Sequence, residues 1–79
     1  MTFYLTYVKT RIGDDYFRKT FRFLNISNAY LNAELLSECE DVSGSVDTID
    51  SETGEVLFIF ENGKLTYRSS CVAIEKEEE

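Results

Sequence analysis

The sequence predicts an α+β fold: a single antiparallel sheet of about five strands, in the order ββαβββ, with one helix packed on one face. Two runs rich in aromatic and β-branched residues precede a helical segment, and an Asn-Gly pair separates two strand-like runs after it. No proline interrupts any of these runs. Because 79 residues form one small domain, all elements are expected to share a single core.

The first two strands are predicted to form an antiparallel hairpin. Residues 2–10 and residues 16–24 both alternate with the period of a strand, so that in the second run the phenylalanines lie on one face and Arg18 and Arg22 on the other. Between the two runs, Gly13 and the two aspartates after it are typical of a chain reversal.

A helix is predicted from an N-cap at Ser27 or Asn28 to about Glu40, with Gly44 after its end. At about 100° per residue, one broad side is apolar and is expected to face the sheet. This side carries Ala29, Leu31, Ala33, Leu35, Leu36 and Cys39. The other side is expected to face water and carries Tyr30, Glu34 and Glu38 at four-residue spacing.

The second half of the chain is predicted to be a meander of strands. Strands are expected at residues 45–49, 55–61 and 64–68, and residues 71–74 extend the last strand or form another. The pair Asn62-Gly63 fits a two-residue type I′ turn. Residues 1–74 are therefore predicted to form one domain, and residues 75–79 a disordered acidic tail.

The residue types argue against catalysis. The chain has no histidine, and adjacent carboxylates such as Asp14 and Asp15 lie in a predicted turn where water solvates both of them. Cys39 and Cys71 are expected to be buried free thiols, with a disulfide between them as the alternative. We therefore expect no enzyme activity, no cofactor and no metal site.

Charge is distributed unevenly along the chain. The first 27 residues carry five basic and two acidic side chains, whereas residues 28–79 carry three basic and thirteen acidic ones. Clustered carboxylates repel one another, but they also accelerate encounter with a basic partner. We expect them to form one continuous surface, with solubility as the alternative role. The predicted partner-binding residues are Tyr30, Glu34, Glu38, Asp41, Asp47, Asp50, Glu52, Glu55 and Glu61.

A second candidate surface is the basic stripe of the first hairpin. Arg18 and Arg22 form this stripe, and Lys9 and Arg11 are candidates to extend it. With Tyr16 and either Tyr4 or Tyr7, they combine cations and rings as single-stranded nucleic-acid platforms do. The alternative is an ordinary solvent-exposed face of a hairpin. A net charge of −7 repels a polyanion, so the sequence favours this alternative and no direct binding of nucleic acid.

One resemblance adds to this interpretation. The helix is followed by Gly44-Ser45-Val46, then by Gly54, an apolar strand and residues 61–64, Glu-Asn-Gly-Lys. This pattern is similar to the helix-plus-meander half of a small type I-F anti-CRISPR family. The whole acidic chain also resembles the small α+β anti-defence proteins that phages and mobile elements encode. That family contacts its target through basic residues, and this chain is acidic there, so no functional residue is carried over.

The resemblance implies a non-catalytic inhibitor, encoded by a phage or mobile element. Such a protein uses its acidic surface to occupy a basic, nucleic-acid-binding site on a host defence complex such as a CRISPR-Cas effector. The alternatives are an antitoxin or immunity protein that neutralises a basic toxin, and a small homo-oligomeric structural protein. In each case we expect a monomer or homodimer in the cytoplasm, with no membrane association.

Overall fold

The computed structural model describes residues 3–70 and residue 72, and it confirms the predicted fold class. The elements are β1 (Tyr4–Ile12), β2 (Asp15–Phe23), α1 (Ile26–Ser37), β3 (Val46–Asp50), β4 (Val56–Glu61) and β5 (Lys64–Arg68). The strands form one antiparallel sheet in the order β2-β1-β3-β4-β5, and α1 packs on one face of it. The tail expected at residues 75–79 lies outside the described residues, as do three of the four residues of the strand expected at 71–74.

Both predicted tight turns are present. β1 and β2 pair over their full lengths around Gly13, whose φ of 64° is in the left-handed region that glycine adopts without strain. Asn62 and Gly63 both have positive φ, at 52° and 79°, as a type I′ turn requires. These turns fix the register of the two hairpins, and the register decides which side chains share a face.

The helix begins and ends earlier than predicted. Asn25 is the N-cap, and its side-chain oxygen accepts from the backbone N–H groups of Ser27 and Asn28 at 2.8 and 3.1 Å. The predicted caps, Ser27 and Asn28, are therefore donors to the cap. The helix ends at Ser37, and Glu38 is its C-cap.

The predicted orientation of α1 is confirmed in part. Ala29 and Ala33 face the sheet and Leu36 packs against the core as expected, but Leu31 and Leu35 face outward and Tyr30 faces the sheet. Ala29, Tyr30, Ala33 and Ser37 are buried, whereas Leu31 and Leu35 are 52% and 62% exposed. Cys39, expected to be buried, is an exposed free thiol. Size complementarity explains the orientation, because the strand beneath the helix supplies two phenylalanines. A row of Ala29, Ala33 and Ser37 at four-residue spacing lets the helix backbone approach those rings.

The core lies between α1 and the middle of the sheet. Phe58 and Phe60 are buried under the helix, and the Tyr30 ring packs edge-on against both, with centroid distances of 5.2 and 5.0 Å. Beside them, the hydroxyls of Thr6 and Thr48 are buried and hydrogen bond to each other across β1 and β3 at 2.7 Å. The helix thus contributes small residues and one ring, and the sheet contributes most of the apolar volume.

The first hairpin extends beyond the core. β3 pairs only with Tyr4–Tyr7 of β1, while the β1–β2 pairing continues to the turn. Every residue from 11 to 22 is exposed. After the helix, residues 41–43 lie beside the C-terminal part of β1. There, Arg11 N–H donates to Asp41 O at 2.7 Å, and Ser43 N–H donates to Lys9 O at 2.8 Å.

α1 has twelve residues. Within the part of the chain that the structure describes, no helix is both long and apolar enough to cross a membrane. Cys71, the second cysteine of the sequence, lies outside the described residues.

Candidate functional site

The sheet register separates the predicted partner-binding residues, so the single continuous acidic surface is not formed. The sheet end where α1 terminates carries Glu34, Glu38, Asp41 and Glu61. The opposite end, about 17–20 Å away along β3 and β4, carries Asp50, Glu52 and Glu55. Asp47 pairs with Tyr7 and Ile59 on the sheet face away from α1. Tyr30 is 8% exposed in the core, where it cannot anchor a partner.

The residues at the first of these ends, together with Glu40, form what we call the acidic end: Glu34, Glu38, Glu40, Asp41 and Glu61. Its geometry is set by contacts between α1 and the β4–β5 turn. Gly63 N–H donates to Ser37 Oγ at 2.8 Å, and the Glu38 side chain lies over Gly63, so closely that a Cβ there would meet Glu38 Cγ at 2.8 Å. The turn therefore holds the C-terminus of the helix beside the last residue of β4, Glu61.

The acidic end is electrostatically unfavourable for the fold itself. A helix C-terminus carries about half a negative charge, and basic residues there are stabilising. The last turn of α1 contains no basic residue, and Glu38 caps it. Among residues 3–70 and 72, no carboxylate forms an ion pair with Lys or Arg. Lys64 lies opposite Glu61 across the β4–β5 ladder, and Arg11 lies beside Glu40 and Asp41. The five carboxylates outnumber these two cations, so the acidic end keeps a negative local charge.

Two exposed leucines lie next to the acidic end. Leu31 and Leu35 are one helical turn apart on the outer side of α1, and Glu34 and Glu38 lie on the adjacent side. An apolar centre with a charged rim is typical of a protein-binding surface. Sequence reasoning missed both leucines and Glu40. The signal that identifies the outward side is the row of small residues at Ala29, Ala33 and Ser37. These small residues fit against the large residues of the sheet, so the leucines face outward.

The carboxylates at the opposite end of the sheet have structural roles. Asp50 Oδ1 accepts from the backbone N–H groups of Glu52 and Thr53 at 2.7 and 3.3 Å, which shapes the β3–β4 loop. Glu55 Oε2 accepts from Ser69 Oγ at 2.7 Å and joins this loop to the end of β5. These contacts explain both residues without a partner, so we leave Asp50 and Glu55 out of the candidate site.

Comparison with known protein families, with curated proteins and with solved structures finds no match to this chain. The described residues contain no group of three His, Cys, Asp or Glu side chains placed to hold a metal ion. The function proposed below therefore rests on the surfaces of the chain. Of these, the candidate site is the acidic end with Leu31 and Leu35, which we call the acidic helix surface.

Proposed function

We propose that the chain is a non-catalytic inhibitor that binds a basic site on another protein through the acidic helix surface. One observation carries this proposal: two exposed leucines adjoin unpaired carboxylates at the negative end of a helix. Both features are unfavourable for an isolated domain. The exposed leucines leave apolar surface in contact with water, and the carboxylates are repelled by the negative end of the helix dipole. A partner that is both basic and partly apolar buries the leucines and neutralises the carboxylates.

The two kinds of side chain have different tasks in such a complex. Glu38, Glu40 and Asp41 are exposed and attract a cationic partner over a distance of about one Debye length, roughly 10 Å at 0.1 M salt. Leu31 and Leu35 become buried on contact and slow dissociation. This division replaces the sequence-based expectation that Tyr30 is the anchor.

The partner of this proposal is a nucleic-acid-binding site on a host defence complex, such as a CRISPR-Cas effector. A groove that binds phosphates presents lysine and arginine, which is the chemistry that complements the acidic end. A small protein seated there excludes nucleic acid by occupancy. Inhibition is then stoichiometric, with one molecule of the chain per site and no turnover.

A charge-reversal pair tests this proposal. We expect Glu38→Lys combined with Asp41→Lys to weaken binding to the partner at least about ten-fold, because it places like charges against a basic site. The matched control is Glu52→Lys with Glu55→Lys, which changes the net charge equally at two exposed positions at the opposite end of the sheet. The measurement is capture of partners from a bacterial lysate on the immobilised chain at about 0.1 M and 1 M salt. The purified captured protein is then titrated for nucleic-acid binding.

Three results decide the matter. Salt-sensitive capture of a nucleic-acid-binding protein, whose nucleic acid the chain displaces one for one, supports the proposal if the control pair retains binding. Equal loss in both pairs shows an effect of net charge alone and contradicts the proposed site. Capture of a toxin that the chain neutralises replaces the proposal with an immunity function.

A further inference from the structure

The sheet face away from α1 carries four of the five basic residues of the first hairpin. Thr6 and Val8 of β1 are buried toward the helix. Because side chains alternate along a strand, Tyr7, Lys9 and Arg11 point to the other face. Across the ladder, Arg18 pairs with Lys9, and Arg22 pairs with Leu5. Cross-strand partners share a face, so all four cations of this group lie on one side of the hairpin.

Aromatic rings lie among these cations on the same face. Tyr16 pairs with Arg11, and Lys9 Nζ lies 5.5 Å from the centroid of the Tyr16 ring. At the other end of the hairpin, Arg22 Cζ lies 5.3 Å from the centroid of the Phe3 ring. These contacts hold cations and rings side by side on an exposed surface. We call the set Tyr7, Lys9, Arg11, Tyr16, Arg18 and Arg22 the basic platform.

The basic platform borders an open hollow. This hollow has a volume of about 470 Å³, and its lining includes Tyr7, Lys9, Arg18 and Asp47 together with residues 43–45. Asp47 Oδ1 accepts from Ser45 Oγ at 2.9 Å, so its carboxylate already has a donor within the chain. The hollow thus offers a ring, two cations and hydroxyl groups to a ligand that carries negative charge and a flat polar group.

We propose that the basic platform binds single-stranded nucleic acid, with phosphates on its cations and bases stacked on its tyrosine rings. A flat sheet face lets unstacked bases lie on rings, as single-strand binding surfaces do. A duplex keeps its bases paired and stacked, so it offers no free base faces to these rings. An acidic protein segment can pair with the cations, but its carboxylates do not stack on the tyrosine rings as bases do.

The local charge on the sheet face away from α1 differs from the net charge of the whole chain, which is −7. The acidic end lies at the end of the sheet where the helix terminates, and the loop carboxylates lie at the opposite end. The basic platform is on the side away from the helix, where Asp47 is the carboxylate nearest the hollow. Glu40 and Asp41 of the acidic end line a second hollow together with Arg11 and Tyr16, so carboxylates border the platform at that end. Arg18 and Arg22, farther along β2, carry its positive charge away from them.

The test measures fluorescence anisotropy of a labelled 12-nucleotide oligouridine at low salt. We expect binding by the intact chain, and at least about ten-fold weaker binding by the pair Arg18→Gln and Arg22→Gln. The matched control, Lys64→Gln with Arg68→Gln, removes two exposed cations from β5 and leaves binding within about two-fold. Tyr16→Ser weakens binding by a similar factor to the arginine pair, whereas Tyr67→Ser, a ring on β5, does not.

Four outcomes overturn the proposal. They are no binding at low salt, equal loss in both glutamine pairs, equal affinity for a duplex of the same length, and equal competition by polyglutamate. The last of these identifies the face as a site for acidic protein segments.

Discussion

Ala33→Asp is expected to remove a large share of the stability of the domain. Ala33 is fully buried on the side of α1 that faces the sheet, and a carboxylate there has no described cation beside it. An uncompensated buried charge costs about 3–5 kcal/mol. At about 0.05–0.15 kcal/mol per residue, the whole domain is stable by roughly 4–12 kcal/mol. Urea unfolding followed by far-ultraviolet circular dichroism measures the loss.

The control for this substitution is Leu31→Asp on the outer side of the same helix. Leu31 is half-exposed, so an aspartate there remains in water and costs less than about 1 kcal/mol through helix propensity. If Leu31→Asp destabilises the domain as much as Ala33→Asp does, Leu31 faces the sheet as the sequence alone predicts, and the acidic helix surface does not exist.

Phe58→Ala is expected to remove about 3–5 kcal/mol of stability, through lost burial and the cavity left behind. Phe58 is fully buried and packs edge-on against Tyr30 and Phe60, so three rings lose contacts at once. Phe17→Ala, on the exposed part of β2, is the matched control and is expected to cost less than about 1 kcal/mol. Equal losses from the two substitutions, measured by urea unfolding, contradict the position of the core.

The sequence predicts the sheet well because local chemistry determines it. Gly13 and the pair Asn62-Gly63 adopt the backbone angles that their turns require, whatever the rest of the chain does. Alternation then assigns the faces of the paired strands. Strand order is different, since it depends on which strand edges meet after α1 crosses the sheet. No local pattern specifies that β1 pairs with β3.

The orientation of α1 is harder to predict because both of its sides contain apolar residues. Hydrophobicity favours Leu31 and Leu35 as core residues, yet Ala33 and Ser37 occupy the contact with the sheet. The decisive quantity is the volume available above Phe58 and its neighbours, which belongs to another part of the chain. Volume matching between elements, rather than hydrophobicity within one element, identifies the exposed side.

The candidate site is predicted in part. The acidic residues between Glu34 and Glu61 are apparent in the sequence, but antiparallel strands carry neighbours in sequence to opposite ends of the sheet. Charge summed along the chain therefore does not give charge on a surface. The residues of the basic platform are apparent in the sequence as a basic stripe, but the negative net charge favours an ordinary solvent-exposed face there. The pairing of β1 with β2 shows that its four cations lie on one face.

The outward leucines provide the most direct test of the proposed function. Leu31→Gln with Leu35→Gln keeps good helix formers on an exposed side and keeps every charge. We expect the melting temperature to change by less than about 4 °C, while binding to the captured partner falls at least ten-fold. Unchanged binding together with a large fall in melting temperature contradicts the proposal, because the two leucines then serve the fold and not a partner.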